Sequence, residues 1–287
     1  MLLSVIILSK TSSEHLFNTT MNCINSLVSS EDFSREYELE IIIVESNKEY
    51  NLKHTYPDTI KVIVPEEPFG FHTYLNIGIN NASGDFIALC NNDLIFHKNW
   101  FSEIVKVNKE RKDILSFSPI DPTKELNRFS HDYVMGYKVT QHIKGWCLVC
   151  KKEVFSKIKM LDNRFTFYYS DNDFALTLLY YGIKNAVVSG SHVEHLHKVA
   201  TKESSKEKDV FLEPESAGKK IPNYLYHDSL KWILKDKRVL HDHLIYYNKW
   251  GNPNSTYRIA RYAESLNNLH LNILTRILLG VKRFLKV

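Results

Sequence analysis

At 287 residues the chain is long enough for one large α/β domain or two small ones, and 44% hydrophobic with 24% charged residues is the composition of a globular protein. Only 10 Gly and 8 Pro exclude collagen-like or long disordered tracts. A formal net charge of +4 is too small for a duplex-DNA footprint, so no nucleic-acid partner is expected. Four cysteines (Cys23, Cys90, Cys147, Cys150) are too few and scattered for a disulfide scaffold, and the Cys147/Cys150 pair has no second pair to complete a zinc site.

The opening MLLSVIILSK lacks the basic region and cleavage site of a signal peptide, and no run reaches membrane-spanning length. A cytoplasmic protein, soluble or peripheral, is the expectation. Leu2 to Leu8 reads as a buried strand, and Thr11, Ser12 and Ser13 are candidate caps for a helix running to about Ser29. Leu39 to Val44, Ile60 to Val64 and Phe86 to Cys90 read as further strands. Tyr74 to Asn81 and Trp100 to Lys109 read as helices. This alternation predicts a doubly wound, Rossmann-like α/β fold: a mostly parallel central sheet with flanking helices. Ligands in such folds bind beyond the carboxyl ends of the strands, which here carry Ser9-Lys10, Glu45-Ser46-Asn47 and Asn91-Asn92-Asp93.

Gly145 to Lys151 reads as a strand followed by a short helix. Phe174 to Tyr181 reads as a helix closed by Gly182 at C′. Asn185 to Ser189 is a short strand ahead of His192, His195 and His197. The Lys-, Glu- and Ser-rich stretch 201–220 reads as a loop or lid. Beyond it, Tyr224 to Trp250 is mixed or helical, and a single long helical pattern runs from Ser255 to the end.

Three groups can carry chemistry. Asn91-Asn92-Asp93 is either a polar turn or an oxygen site for Mg²⁺ or Mn²⁺. Asp171 and Asp173 lie near a helix start, where a carboxylate either caps the helix or acts as a general base. His195 and His197 fall on one side of an extended segment and are either structural or able to complete a metal site. Walker A, GxSxG, HExxH and GxGxxG patterns are all absent.

The order of these pieces over residues 1–200 (IIIVESN, GFHTYLNIGINNASGDFIALCNND, GWCLVCKKEVF, LDNRFTFYYSDNDFALTLLYYGIKN, VEHLH) resembles the family 2 glycosyltransferases of GT-A fold, in particular their bacterial rhamnosyltransferase-like branch. The resemblance implies an inverting transferase that moves a sugar from a nucleoside-diphosphate sugar to a hydroxyl of a glycan or lipid-linked acceptor, with Mn²⁺ or Mg²⁺ bound. The implied setting is bacterial capsule or lipopolysaccharide synthesis. It implies Glu45 as the contact to the nucleotide base, and Gly70, Asn76 and Asn92, with Ser9 at the first strand end, as donor-binding positions. Asp93 and His195, or His197 in its place, are the implied metal ligands and Asp171 the implied base. Gly145, Trp146 and Asp173 fall on the implied acceptor side. Asn91 stands where this family has its first metal-motif carboxylate, and Ser170 where it has Glu. These departures keep a non-catalytic sugar- or nucleotide-binding module open as the alternative.

The expected organisation is a catalytic domain over 1–220 and a helical extension over 221–287. In the extension, Leu266, Leu269, Ile273, Leu274, Ile277, Leu278, Val281, Phe284 and Leu285 form an apolar stripe, with Arg276, Lys282, Arg283 and Lys286 off it. Such a helix suits either an anionic membrane surface or docking on protein. Oligomeric state is left open.

Overall fold

The computed structural model describes residues 1–33, 35, 37–49, 54–126, 128–196 and 221–285. The expected stretch 201–220, His197 and Lys286 lie outside them. Nine strands form a mixed sheet: β1 (Leu2–Ser9), β2 (Glu38–Glu45), β3 (Lys61–Ile63), β4 (Phe86–Cys90), β5 (Leu94–Phe96), β6 (Ile114–Ile120), β7 (Tyr133–Met135), β8 (Cys147–Lys151) and β9 (Lys184–His195). The helices are α1 (Glu14–Ser30), α2 (Phe71–Asn80), α3 (Trp100–Glu110), α4 (Pro122–Glu125), α5 (Glu153–Ile158), α6 (Ser170–Tyr180), α7 (Lys237–Trp250), α8 (Pro253–Asn268) and α9 (Asn272–Leu285).

The strand order is β3-β2-β1-β4-β8-β6-β9-β5, with β7 also on β9. The β3-β2-β1-β4 half is parallel, as its continuous apolar runs predict: Leu3, Val5, Ile6 and Ile7 of β1 are fully buried. Beyond β4 the sheet turns mixed, because β8 runs antiparallel to both β4 and β6. α1 starts where Ser13 accepts a hydrogen bond from the Leu16 N–H at 3.3 Å and lays Leu16, Cys23, Ile24 and Leu27 on the sheet. α2 approaches β1 so closely that a Cβ on Gly78 would lie 2.4 Å from the Ile6 side chain.

The chain divides into two compact units. The first holds residues 1–69, 74–160 and the strand from 183 onward. The second holds 70–73, 161–182 and the C-terminal helices. The units therefore interleave in sequence.

Several expectations change. β6 and β7 are strands where none is expected, and β9 runs as far as His195. α6 starts at Ser170, so Asp171 and Asp173 both sit in its first turn; it closes as expected, with Gly182 at φ 67°. The single helix expected from Ser255 is two helices. His270 at φ 59° breaks them, and the Leu271 N–H bonds back to the Leu266 carbonyl at 2.9 Å.

Candidate functional site

In the first unit, register sets Ser9 opposite Glu45 and Ile7 opposite Cys90, so the carboxyl ends of β1, β2 and β4 share one edge. Glu45 is fully buried there. One carboxylate oxygen accepts from the N–H groups of Thr11 (2.9 Å) and Asn47 (2.8 Å). The other accepts from the hydroxyls of Thr11 (2.7 Å) and Tyr56 (3.3 Å). Four donors thus satisfy the carboxylate without a cation. Glu45, the implied contact to the nucleotide base, therefore has its oxygens engaged by the two loops that they clamp. Ser9 is buried in the same network, 3.0 Å from the Tyr56 hydroxyl and 3.2 Å from that of Thr20, so it too supports the turn.

The turn after β4 carries Asn91-Asn92-Asp93. The Asn91 N–H donates to the Trp146 carbonyl at 2.9 Å, and the Asn92 amide donates to the Thr20 hydroxyl at 2.9 Å. β5 pairs antiparallel with β9, Leu94 opposite His195, which carries the imidazole back beside Asp93. Asp93 Oδ1 and His195 Nε2 are 3.2 Å apart, with side chains 8% and 12% exposed. The Trp146 indole stacks on the imidazole at 5.3 Å and 25°. Trp146, implied on the acceptor side, thus also packs on the imidazole of this pair. Gly145 lies in the turn ahead of β8, where the Cys147 N–H bonds the Lys144 carbonyl at 2.9 Å.

A carboxylate oxygen and an imidazole nitrogen held face to face share either a proton or a cation. The donor set, one hard oxygen and one imidazole, suits Mn²⁺ or Mg²⁺, and neighbouring ligands of an octahedral ion at about 2.1 Å lie roughly 3 Å apart. The pair fits such an ion on both counts. Among the described residues no third His, Cys, Asp or Glu joins it.

The second unit holds Asp171, Asp173 and Gly70. The two carboxylates, two residues apart, have different surroundings. Asp173 is buried; Lys249 Nζ lies 2.7 and 2.9 Å from its two oxygens, and the Trp250 indole N–H donates at 2.6 Å. Its charge is thus neutralised inside the unit. Asp171 is half-buried, and Oδ1 accepts from the Asn172 N–H at 2.8 Å. Burial raises its pKa above the ordinary carboxylate value, partly offset by backbone hydrogen bonds. Ser170 is turned away from solvent, its hydroxyl donating to the Phe167 carbonyl at 2.8 Å. Gly70 immediately precedes α2, and the next residue's N–H (Phe71) donates to the Thr166 carbonyl at 2.7 Å. Asn76, further along α2, is buried in the first unit.

Sequence reasoning misses Asp242 and His243 of α7 as part of this site. Asp242 is fully buried and accepts from the N–H groups of Thr166 (3.0 Å), Phe167 (2.9 Å) and Tyr168 (2.7 Å), and from the Thr166 hydroxyl. His243 bonds the hydroxyls of Tyr169 (2.8 Å) and Tyr224 (2.7 Å), and burial lowers its pKa to about 4. Lys249 also pairs with Asp162 at 2.9 Å. One helix thus grips the segment that leads into Asp171. The signal for it was an acid between two histidines inside an apolar helical stretch, Val239-Leu240-His241-Asp242-His243-Leu244-Ile245.

The structure therefore brings together Asp93, His195 and Trp146, and Ser9 with Glu45. It gives Asp171 and Asp173 separate partners. The fold is similar to that of GalNAc-T7 solved with UDP, GalNAc and Mn²⁺: TM-score 0.58 and 14% identity over 86% of this chain, which spans only 57% of that one. It is also similar to the mannosyltransferase PcManGT from Pyrobaculum calidifontis solved with GDP-Man and Mn²⁺: TM-score 0.52 and 14% identity over 98% of this chain and 86% of that one. No curated protein matches by sequence. The profile of Glycosyl transferase family 2 matches residues 4–172, which take in β1, the Asn91–Asp93 turn and Asp171. On that match, covering more than half of its length, the chain belongs to Glycosyl transferase family 2, and its fold is the GT-A fold.

Proposed function

We propose that the protein is an inverting glycosyltransferase with Asp171 as its general base. The observation that carries this reading is the contrast within one helix turn. Asp173 is neutralised by Lys249, whereas Asp171 keeps a carboxylate with an upward-shifted pKa and, among the described residues, no cation in its interactions. A raised pKa strengthens a carboxylate as a proton acceptor near neutral pH.

In the proposed reaction the acceptor hydroxyl gives its proton to Asp171 as its oxygen bonds to the anomeric carbon. The bond from that carbon to the diphosphate oxygen breaks on the opposite face, its electron pair leaves with the nucleoside diphosphate, and the configuration inverts. Asp93 and His195 would hold Mn²⁺ or Mg²⁺, which supplies positive charge to the departing diphosphate. Trp146 fixes the His195 ring, Glu45 holds the two loops at the β1–β2 edge, and Asp242 and His243 hold the segment carrying the base.

The donor is a nucleoside-diphosphate hexose or deoxyhexose, in line with the ligands of the two structural neighbours and with the rhamnosyltransferase-like motif order. The acceptor is a glycan or lipid-linked glycan of a bacterial surface polysaccharide, such as a capsule or lipopolysaccharide, assembled at the cytoplasmic face of the membrane. Catalysis is assigned to 1–220, with the helices of 221–287 as its support.

The test is a panel of nucleotide sugars with Mn²⁺, read by thermal shift and by product release from the purified full chain. One donor is expected to raise the melting temperature and to turn over. Asp171→Asn is expected to keep the shift and lose transfer. Donor binding with no turnover by the native chain would favour the binding-module alternative, and retention of more than about a tenth of native transfer by Asp171→Asn would remove it from the role of base.

A further inference from the structure

The last helix of the second unit is amphipathic in the reverse of the usual sense. α9 packs against α8, α7 and α6 through a face that includes Thr275, Leu279 and Lys282, all buried. The Thr275 hydroxyl donates to the Ala263 carbonyl at 3.2 Å, and the Lys282 ammonium donates to the Ser255 hydroxyl at 3.0 Å. The Arg276 guanidinium donates to the Tyr180 carbonyl at 3.2 Å and lies over the Tyr181 ring. Cations and a hydroxyl thus anchor the helix inward. Its outward residues are Ile273, Leu274, Ile277, Val281 and Phe284, with Ile273 at 74% and Phe284 at 87% exposure. Their spacing places them on one stripe along the whole helix. Leu269 and Leu271 extend the exposed apolar surface into the break before it.

Charge indicates what covers this stripe. Residues 255–287 contain Arg258, Arg261, Arg276, Lys282, Arg283 and Lys286 against the single acid Glu264, so more than the whole net charge of +4 resides there. Arg258 and Arg261 of α8 are exposed. Lys282 and Arg276 are engaged inside the unit, but the exposed Arg258 and Arg261 leave the surface of α8 basic; a second copy would meet that surface as like charge, whereas an anionic lipid surface neutralises it. The 14 residues of α9 rise about 21 Å, short of the roughly 30 Å hydrocarbon core, and among the described residues no helix is long and apolar enough to cross a membrane.

We propose that the exposed stripe of α9 seats the protein in the interface of an anionic bilayer, with the helix lying in the membrane plane and the arginines of α8 among the headgroups. The proposal is independent of the transfer reaction.

Flotation of the full chain tests it, using vesicles of equal parts phosphatidylglycerol and phosphatidylcholine against phosphatidylcholine alone. The native chain is expected to float with the anionic vesicles, less with the neutral ones and less at high salt. The double variant Ile277→Glu/Phe284→Glu is expected to bind at least about tenfold more weakly while its thermal midpoint stays native, because both side chains are exposed. Absence of native flotation, or flotation of the variant equal to native, would overturn the proposal. So would a native dimer in vesicle-free sedimentation equilibrium that the double variant converts to monomer, since the stripe would then belong to a second copy. Donor turnover by the variant reads the catalytic assignment separately.

Discussion

The two regions that carry the candidate chemistry are built by opposite strategies. At the β1–β2–β4 edge the partners come from strand ends that register already places side by side, and Glu45 clamps two loops through donors within 34 residues of itself. In the segment 162–173 the partners come from a helix more than 70 residues downstream: Asp242 bonds Thr166 across 76 positions and Lys249 bonds Asp173 across 76. The first region is assembled by the sheet itself. The second is assembled only when the C-terminal helices are in place, so it couples the candidate base to a part of the chain outside the matched family profile.

Substitutions can break this comparison, beginning with the largest expected effect. Asp171→Asn is expected to lower kcat by about 10²–10⁴-fold with donor affinity unchanged, the usual contribution of a positioned base. His195→Ala is expected to raise the Mn²⁺ concentration for half-maximal activity by about 10–100-fold and to leave the thermal midpoint of the metal-free chain near native.

Glu45→Gln and Asp242→Asn are the matched pair. Each sets an amide group against buried N–H donors and is expected to cost about 1–3 kcal/mol of stability by chemical denaturation. They should part in kinetics: Glu45→Gln raises the donor KM, whereas Asp242→Asn lowers kcat with the donor KM unchanged. Equal kinetic signatures would mean that the two regions do not divide donor binding from base positioning.

The smallest effect is in pH and stability. The folded-state pKa of Asp171 lies above its unfolded value, so the folded chain holds the extra proton between the two values. Stability contributed by this group is therefore full below that window and falls as pH rises through it. Asp171→Asn is accordingly expected to raise the melting temperature slightly at neutral pH. In the native chain the acidic limb of the proposed transfer is expected to lie above the range of an ordinary carboxylate.

Local patterning made much of this readable. The apolar runs of β1, β2 and β4, the Ser13 cap and Gly182 at C′ are each set by residues within a turn of one another, and a sequence displays such signals directly. Asp93 and His195 were readable only through motif order, because β5 and β9 have to pair before they meet. Motif order set Asp171 apart as the implied base, but the partners that neutralise Asp173 were not readable. Both look like first-turn acids, and what separates them is Lys249 and Trp250, at the far end of another helix. The break at His270 was equally hidden, since neither Gly nor Pro marks it and the apolar spacing continues across it.

The interleaving of the second unit also sets an order in time. On a ribosome adding about 5–20 residues per second, Asp173 emerges on the order of 4–15 s before Lys249, its partner 76 positions later. Within that interval the first unit gains its last strand, β9, while the segment bearing the candidate base still has none of its clamps from α7. A nascent chain can therefore complete its sheet before it acquires a positioned candidate base, which waits for α7. α9, whose exposed stripe is proposed to find the membrane, follows α7 in the chain.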